Sequence, residues 1–140
     1  MNDNLIIMGI NAPRKHQEII ARLIYGLTSL YMQAKTRLFP YPETMIDESQ
    51  TSPVPDVMLI DVDNDLTKTI IEITHTQGVK KDSKKLWELM NDYDVQEGFV
   101  YDYKRKVWYK YDLSTGEVTE NASYCNAAKA DLNSFLTMVI

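Results

Sequence analysis

The order of hydrophobic patterns along this sequence predicts a mixed sheet with helices packed on it, an α/β or α+β layer fold. Three observations carry that prediction. Residues 13–34 place Ile19, Ile20, Leu23, Ile24, Leu27, Leu30 and Tyr31 at spacings of three and four, the period of an amphipathic helix. Residues 57–62 (VMLIDV) and 67–74 (LTKTIIEIT without its first residue) are β-branched and apolar, as strands are. A second amphipathic stretch, 82–93, carries Leu86, Leu89, Met90 and Tyr93 on one face and leads into further strand-like segments.

In chain order, residues 5–8 form a short apolar run suited to a strand, and Asn11 followed by Pro13 has the form of a helix start, a cap residue and then proline in the first turn. The first helix follows over 13–34. Residues 37–41 and 43–46 are short and flanked by proline, the mark of edge strands. Residues 48–55 (ESQTSPVP) are a loop by composition. Strand 57–62 ends at the turn Asp63-Asn64-Asp65, and strand 67–74 comes next. Helix 82–93 precedes a hairpin of 98–103 and 107–112 around the basic turn Lys104-Arg105-Lys106. Ser114-Thr115-Gly116 turns into a short strand at 117–119, and a last short helix is expected over 128–136.

At 140 residues the chain is expected to be one domain, 1–140, large enough to bury a core without cross-links. Its 44% hydrophobic and 25% charged residues are those of an ordinary globular protein. The single cysteine, Cys125, precludes an intramolecular disulfide and fits a reducing compartment. No apolar run approaches the roughly 18 residues that span a bilayer, and Met1-Asn2-Asp3-Asn4 lacks the basic region of a signal peptide. A cytoplasmic location and no membrane partner are therefore expected. The net charge of −5 argues against a broad electrostatic footprint on nucleic acid. Two local basic patches stand out within it: Lys80-Lys81 with Lys84-Lys85, and Lys104-Arg105-Lys106.

The main chemical candidate is Asp56, at a strand start, with Glu72, sixteen residues on and inside the next strand. Two hairpin-connected strands would set these carboxylates side by side. Glu72 lies between Ile71 and Ile73, whose side chains point to the opposite face. A carboxylate there is rarely buried without a partner. Two converging acids repel unless a proton or a cation lies between them, and a magnesium-like ion with oxygen ligands is the natural solution. The plainer alternative puts Glu72 on a solvated sheet face and has Asp56 cap a loop.

Helix geometry separates the lysines of the second helix. At about 100° per residue, Lys84 falls opposite the buried face, whereas Lys85 borders it and could reach a site at the sheet edge. Asp82 falls in the first turn, where capping is the simpler role. The whole basic cluster also has the plain reading of a solvated face. Other constellations are weaker. From Asp61 to Glu72 the oxygen side chains mimic a calcium loop, but Leu66 stands where that loop needs glycine and the flanks are strand-like. His16 and His75, the only histidines, have no zinc spacing. Nothing in the sequence supplies Cys125 with a base, and there is no glycine-rich phosphate loop. Tyr101, Tyr103, Trp108, Tyr109 and Tyr111 could stack bases, though strands with amphipathic rims read the same way.

With these residues in place, the chain resembles the PD-(D/E)XK nuclease superfamily, and within it the Uma-type (Uma-two) family of restriction-endonuclease-like proteins. The resemblance covers roughly residues 11–136. APRKHQEIIARLIYGL resembles the family's first helix, with His16 at its start; PVPDVMLID its Pro-Asp strand; TIIEIT its Glu strand. KKDSKKLWELMNDYDVQEGFVYD resembles its helix and the strand ending in aspartate, here Asp102, and ASYCNAAKADLNSFL its closing segment. The resemblance implies a restriction-endonuclease-like α/β core, a mixed central sheet flanked by helices. It implies a magnesium or manganese site made by Asp56, Glu72 and the Ile73 carbonyl. The superfamily's lysine would fall at Thr74; the Uma-type substitute, a lysine on the following helix, matches Lys85, and the aspartate beginning that helix matches Asp82. The family's acidic residue ahead of the first helix finds no match, and Glu18 is the one candidate to compensate. Asp94-Val95 stands where the family has Gly-Val.

The activity implied is metal-dependent endonucleolytic hydrolysis of DNA, with Asp56, Glu72 and Lys85 at the reaction and Lys80, Lys81, Lys104 and Arg105 on phosphates. DNA is the expected partner, and a homodimer fits an enzyme that cuts both strands. The alternative is an inactive nuclease fold serving as a nucleic-acid-binding or protein-interaction module, which Thr74 and the net charge of −5 favour.

Overall fold

The computed structural model describes residues 13–47, 49 and 52–138. The expected strand at 5–8 and the cap at Asn11 lie outside them. Helix α1, Arg14–Met32, buries Ile19, Ile20, Leu23, Gly26 and Leu27, the stripe that the sequence spacing marks. Pro13 is its N-cap residue, with no side-chain cap. Its carbonyl accepts from Gln17 N–H at 3.2 Å. Strands β1 (Leu38–Pro42), β2 (Val57–Asp61) and β3 (Leu66–Thr74) follow as an antiparallel meander. Helix α2, Val79–Tyr93, then crosses over to β4, Glu97–Asp102, which runs parallel to β3. Strands β5 (Val107–Asp112) and β6 (Gly116–Val118) close a six-stranded sheet in chain order. A parallel neighbour demands a crossover of a dozen or more residues, and α2 is that crossover.

The alternation of β2, β3 and β4 divides the interior into two layers. Val57, Leu59, Ile71, Ile73, Phe99 and Tyr101 face α1 and the C-terminal segment. Met58, Ile70 and Val100 face Leu86, Leu89 and Met90 of α2. Central strands covered on both faces explain the continuous apolar runs of the sequence, which carry no polar face to alternate with. Two glycines mark close approaches. A Cβ on Gly98 would stand 2.6 Å from Met90 Sδ and 2.9 Å from Leu86 Cδ1, so α2 sits directly on β4. A Cβ on Gly26 would collide with the Phe135 ring, which fixes the approach of the C-terminal segment to α1.

Three expectations are corrected. Residues 43–46 form no strand, because Glu43 leaves β1 in the left-handed region (φ 43°) and the Thr44 hydroxyl bonds back to Pro42 O at 2.8 Å. Helix α2 begins at Val79, not at 82. A 3₁₀ turn, Thr76–Gly78, leads into it, Gly78 is its cap, and Asp82 lies inside its first turn. Residues 128–136 are not one helix. The pair β7 (Tyr124–Cys125) and β8 (Ala130–Asp131) precedes a single turn, α3, Asn133–Leu136. Lys129 at φ 56° breaks any helix there, and Asp131 Oδ1 accepts from Ser123 Oγ at 2.6 Å and Asn133 N–H at 3.1 Å. The aromatic run follows the strand reading: Tyr101 and Tyr103 are buried, while Trp108, Tyr109 and Tyr111, partly buried, pack on the two cores.

Candidate active site at the end of the central strands

Val57 of β2 pairs with Ile71 of β3. One residue further along this antiparallel pair, Asp56 stands opposite Glu72. Asp56 is bonded into the sheet end: its Oδ2 accepts from Ile73 N–H at 2.7 Å, and its carbonyl accepts from Glu43 N–H at 3.0 Å. Glu72 is 3% exposed, so it does not lie on a solvated face. Its side chain is on the α2 side, where Lys85 Nζ comes within 3.6 Å of Oε2. That is just beyond hydrogen-bond distance, and Oε2 is buried with no hydrogen-bond partner. Lys85 itself is 44% exposed at the side chain and so reaches both the buried carboxylate and solvent, the position helix geometry predicts.

The electrostatics follow. Burial, with the Asp56 charge adding to it, pushes the Glu72 carboxyl up to about 8, against the opposing pull of Lys85. Near neutral pH the protein without a cation therefore holds a proton on Glu72, one of the two ways of relieving converging acids.

A third side chain, given no role by the sequence, reaches the pair. His16, in the first turn of α1, places Nε2 3.3 Å from Asp56 Oδ2. The hydrogen bond to Asp56 raises the histidine pKa despite burial. The available signal was positional: His16 precedes Ile19 and Ile20 by three and four, on the buried stripe of α1. Glu18 does not compensate for a missing acid. It pairs with Arg22 at 3.1 Å and Lys15 at 3.5 Å on the exposed side of the helix.

Thr74 is buried at the end of β3, with its hydroxyl 3.4 Å from His75 O. A Cβ on Gly78 would collide with Thr74 Oγ1 and stand 3.3 Å from Asp82 Oδ2, so the start of α2 closes over this position. Asp102, at the matching end of β4, organises its neighbours: Oδ2 accepts from the Thr76 hydroxyl at 2.8 Å, and Oδ1 from Lys104 N–H at 2.9 Å and Arg105 N–H at 3.2 Å. Thr74 and Asp102 are register partners, so β3 and β4 end together. The exposed residues Lys80 and Lys81 in the first turn of α2, and Lys104 and Arg105 in the β4–β5 turn, therefore gather at the end of the sheet that carries Asp56 and Glu72.

A second buried polar cluster lies at the other end of β4. Glu97 pairs with Lys110 at 3.1 Å, each about 95% buried (6% and 5% side-chain exposure). The carboxylate also accepts from Asn126 N–H at 2.7 Å, Ala127 N–H at 3.1 Å and Cys125 Sγ–H at 3.3 Å. Lys110 Nζ donates to Tyr124 O at 2.7 Å. This network fastens the C-terminal segment to the sheet. Burial and the Glu97 charge push the Cys125 thiol up to about 12, so it is inert as a nucleophile. Residues 61–65 form an ordinary turn, in which Asp61 accepts from Asp63 N–H at 3.1 Å and Asn64 Nδ2 at 2.9 Å.

Among the described residues no group of three or more His, Cys, Asp or Glu is arranged to hold a metal ion. The acid pair must be judged on its own two carboxylates, and it fits a hard cation in two respects. Its donors are oxygens, and one of them, Glu72 Oε2, is buried and without a hydrogen bond.

No family model matches the sequence, and no curated protein matches it either. A solved structure does. A protein from Anabaena variabilis described as a "putative nuclease belonging to DUF820" superposes with a TM-score of 0.60 at 17% identity, over 96% of this chain and 86% of that one. The likeness is one of fold, and it reaches almost the whole chain. The mixed six-stranded sheet and its flanking helices thus share the α/β fold of that DUF820 protein.

Proposed function

We propose that the chain is a divalent-metal-dependent endonuclease that hydrolyses phosphodiester bonds of DNA. The observation that carries this reading is the Asp56–Glu72 pair: two acids opposed across β2 and β3, one of them buried with an unpartnered oxygen and a lysine 3.6 Å away. Structural acids of a sheet end do not need that arrangement. A protein of the same fold described as a "putative nuclease" adds to it.

Asp56, Glu72 and the Ile73 carbonyl would hold a magnesium or manganese ion. The ion would supply Lewis-acid polarisation of the scissile phosphate and acidify water. Lys85, free to move at its half-exposed tip, would turn from Glu72 to the phosphate and stabilise the negative charge that builds there. Lys80, Lys81, Lys104 and Arg105 would meet phosphates on either side, fixing the register of the duplex without reading its bases. A homodimer would bring two such sites to a duplex.

The second reading, an inactive nuclease fold acting as a binding module, is favoured by Thr74. The start of α2 closes over the position where the superfamily carries its lysine. The two readings separate on cleavage of a labelled DNA duplex with manganese. The enzyme reading expects turnover, with Lys85→Ala losing about 100-fold or more while its metal half-saturation is kept, as for removal of one charge-stabilising donor. Equal turnover by wild type and Lys85→Ala would remove Lys85 from the mechanism, and no turnover by either would favour the binding module.

A further inference from the structure

We propose that His16 is a positioning residue that holds Asp56 in the orientation in which it ligates a divalent cation. The inference rests on the metal reading of the acid pair above. Asp56 stands just before the first residue of β2; its backbone is held by Glu43 N–H, but its carboxylate would be free to rotate without contacts of its own. Two donors prevent this. Ile73 N–H bonds Oδ2 at 2.7 Å from the sheet side, and His16 Nε2 approaches the same oxygen at 3.3 Å from α1. Both converge on Oδ2, which fixes the plane of the carboxylate and keeps Oδ1 out of these two contacts.

The histidine ring faces Asp56 first, with the Ile73 backbone and the Glu43 charge beside it. Its side chain is 16% exposed, and its Nδ1 is buried with no hydrogen-bond partner. Asp56 is the only acid with which it forms an ion pair among the described residues. A buried ring nitrogen without a partner is a cost that a purely structural side chain at this position would avoid. With Nδ1 lacking an acceptor, the neutral ring is favoured as the tautomer that carries its proton on Nε2 and donates it to Asp56. Contacts of this kind, from a residue that touches a ligating carboxylate and not the ion, typically change metal affinity 10–100-fold.

The test compares His16→Leu with His16→Gln, whose amide nitrogen can reach the position of Nε2. Manganese half-saturation is read by calorimetric titration of the whole chain, and ring nitrogen NMR of the metal-free wild type is read beside it. The proposal expects half-saturation to rise at least tenfold in His16→Leu and to stay within about threefold in His16→Gln. It also expects an Nε2–H resonance that Asp56→Asn shifts. Unchanged manganese affinity in His16→Leu, with the wild type binding the ion, would overturn the positioning role. Equal losses in both variants would do the same, since only ring packing would then matter. Failure of the wild type to bind manganese at all would overturn the metal reading itself, and the NMR signal would show separately whether the His16–Asp56 contact exists.

Discussion

Glu72 shows how much one residue's setting adds to its identity. In the sequence it is a glutamate between isoleucines; in the fold it is almost completely buried, faces Lys85, and holds its proton to about pH 8. The sign of the consequence follows from linkage. A carboxyl whose folded pKa is raised contributes stability below its unfolded pKa, near 4.5, and loses it as pH rises through the folded value. The metal-free protein is therefore expected to lose stability between about pH 5 and 8, and Glu72→Gln to flatten that part of the profile. Thermal unfolding across this range checks it; an equally steep loss in Glu72→Gln would place the titrating group elsewhere. Manganese must displace the same proton, so its stabilising effect should grow from pH 6 to pH 8 in the wild type and vanish in Glu72→Ala. Thr74 and Gly78 offer a second test at this scale. Gly78→Ala should destabilise by about 1–3 kcal/mol through overpacking, and Thr74→Ala combined with it should recover part of the loss in denaturant titrations. Strict additivity would mean that the two residues do not meet.

At the scale of elements, the parts legible in the sequence are those whose pattern is decided locally. The stripe of α1, the β-branched runs of β2 and β3, and the β4–β5 hairpin stand within a few residues of their expected limits. Local pattern fails where a distant residue decides. A helix is expected over 128–136, yet Glu97, some thirty residues earlier, takes the Asn126 and Ala127 N–H groups just ahead of it and ties the chain to the sheet. The start of α2 escaped notice because its cap is a glycine without a capping side chain. The Asp56–Glu72 pair was legible only as two acids on hairpin-connected strands; the turn alone would set Asp56 opposite Ile71, and the bulge between Leu59 and Ile60 shifts the register to Glu72. His16 was not, because its partner lies forty residues away. Breaking the Glu97–Lys110 pair from one side, as in Lys110→Met, leaves a buried charge and should cost about 3–5 kcal/mol. Loss of protection at the Tyr124–Ala127 amides by hydrogen exchange would locate the damage; a cost under about 1 kcal/mol would show the carboxylate adequately held by the backbone alone.

For the whole molecule, a net charge of −5 is compatible with the proposed nucleic-acid surface because the basic side chains are not evenly spread. The turns that follow β3 and β4 carry Lys80, Lys81, Lys104 and Arg105 to the end of the sheet that bears the acids. The order of these residues along the chain hides that convergence, and the parallel β3–β4 pair creates it. Among the described residues no helix is long and apolar enough to cross a membrane. Binding of this kind is carried by phosphates, so Lys81→Ala should weaken DNA binding about equally for all sequences and lower the salt slope by about one. A sequence-dependent loss would mean that Lys81 touches bases.

The metal-dependent activity of the acid pair is tested most directly by conversion of supercoiled plasmid by purified protein with magnesium or manganese, with a chelator, and with Asp56→Ala and Glu72→Ala in parallel. Metal-dependent nicking by the wild type that the chelator and both substitutions abolish is the predicted result. Nicking that survives in either variant, or a wild type that leaves the plasmid intact in both metals, would contradict it.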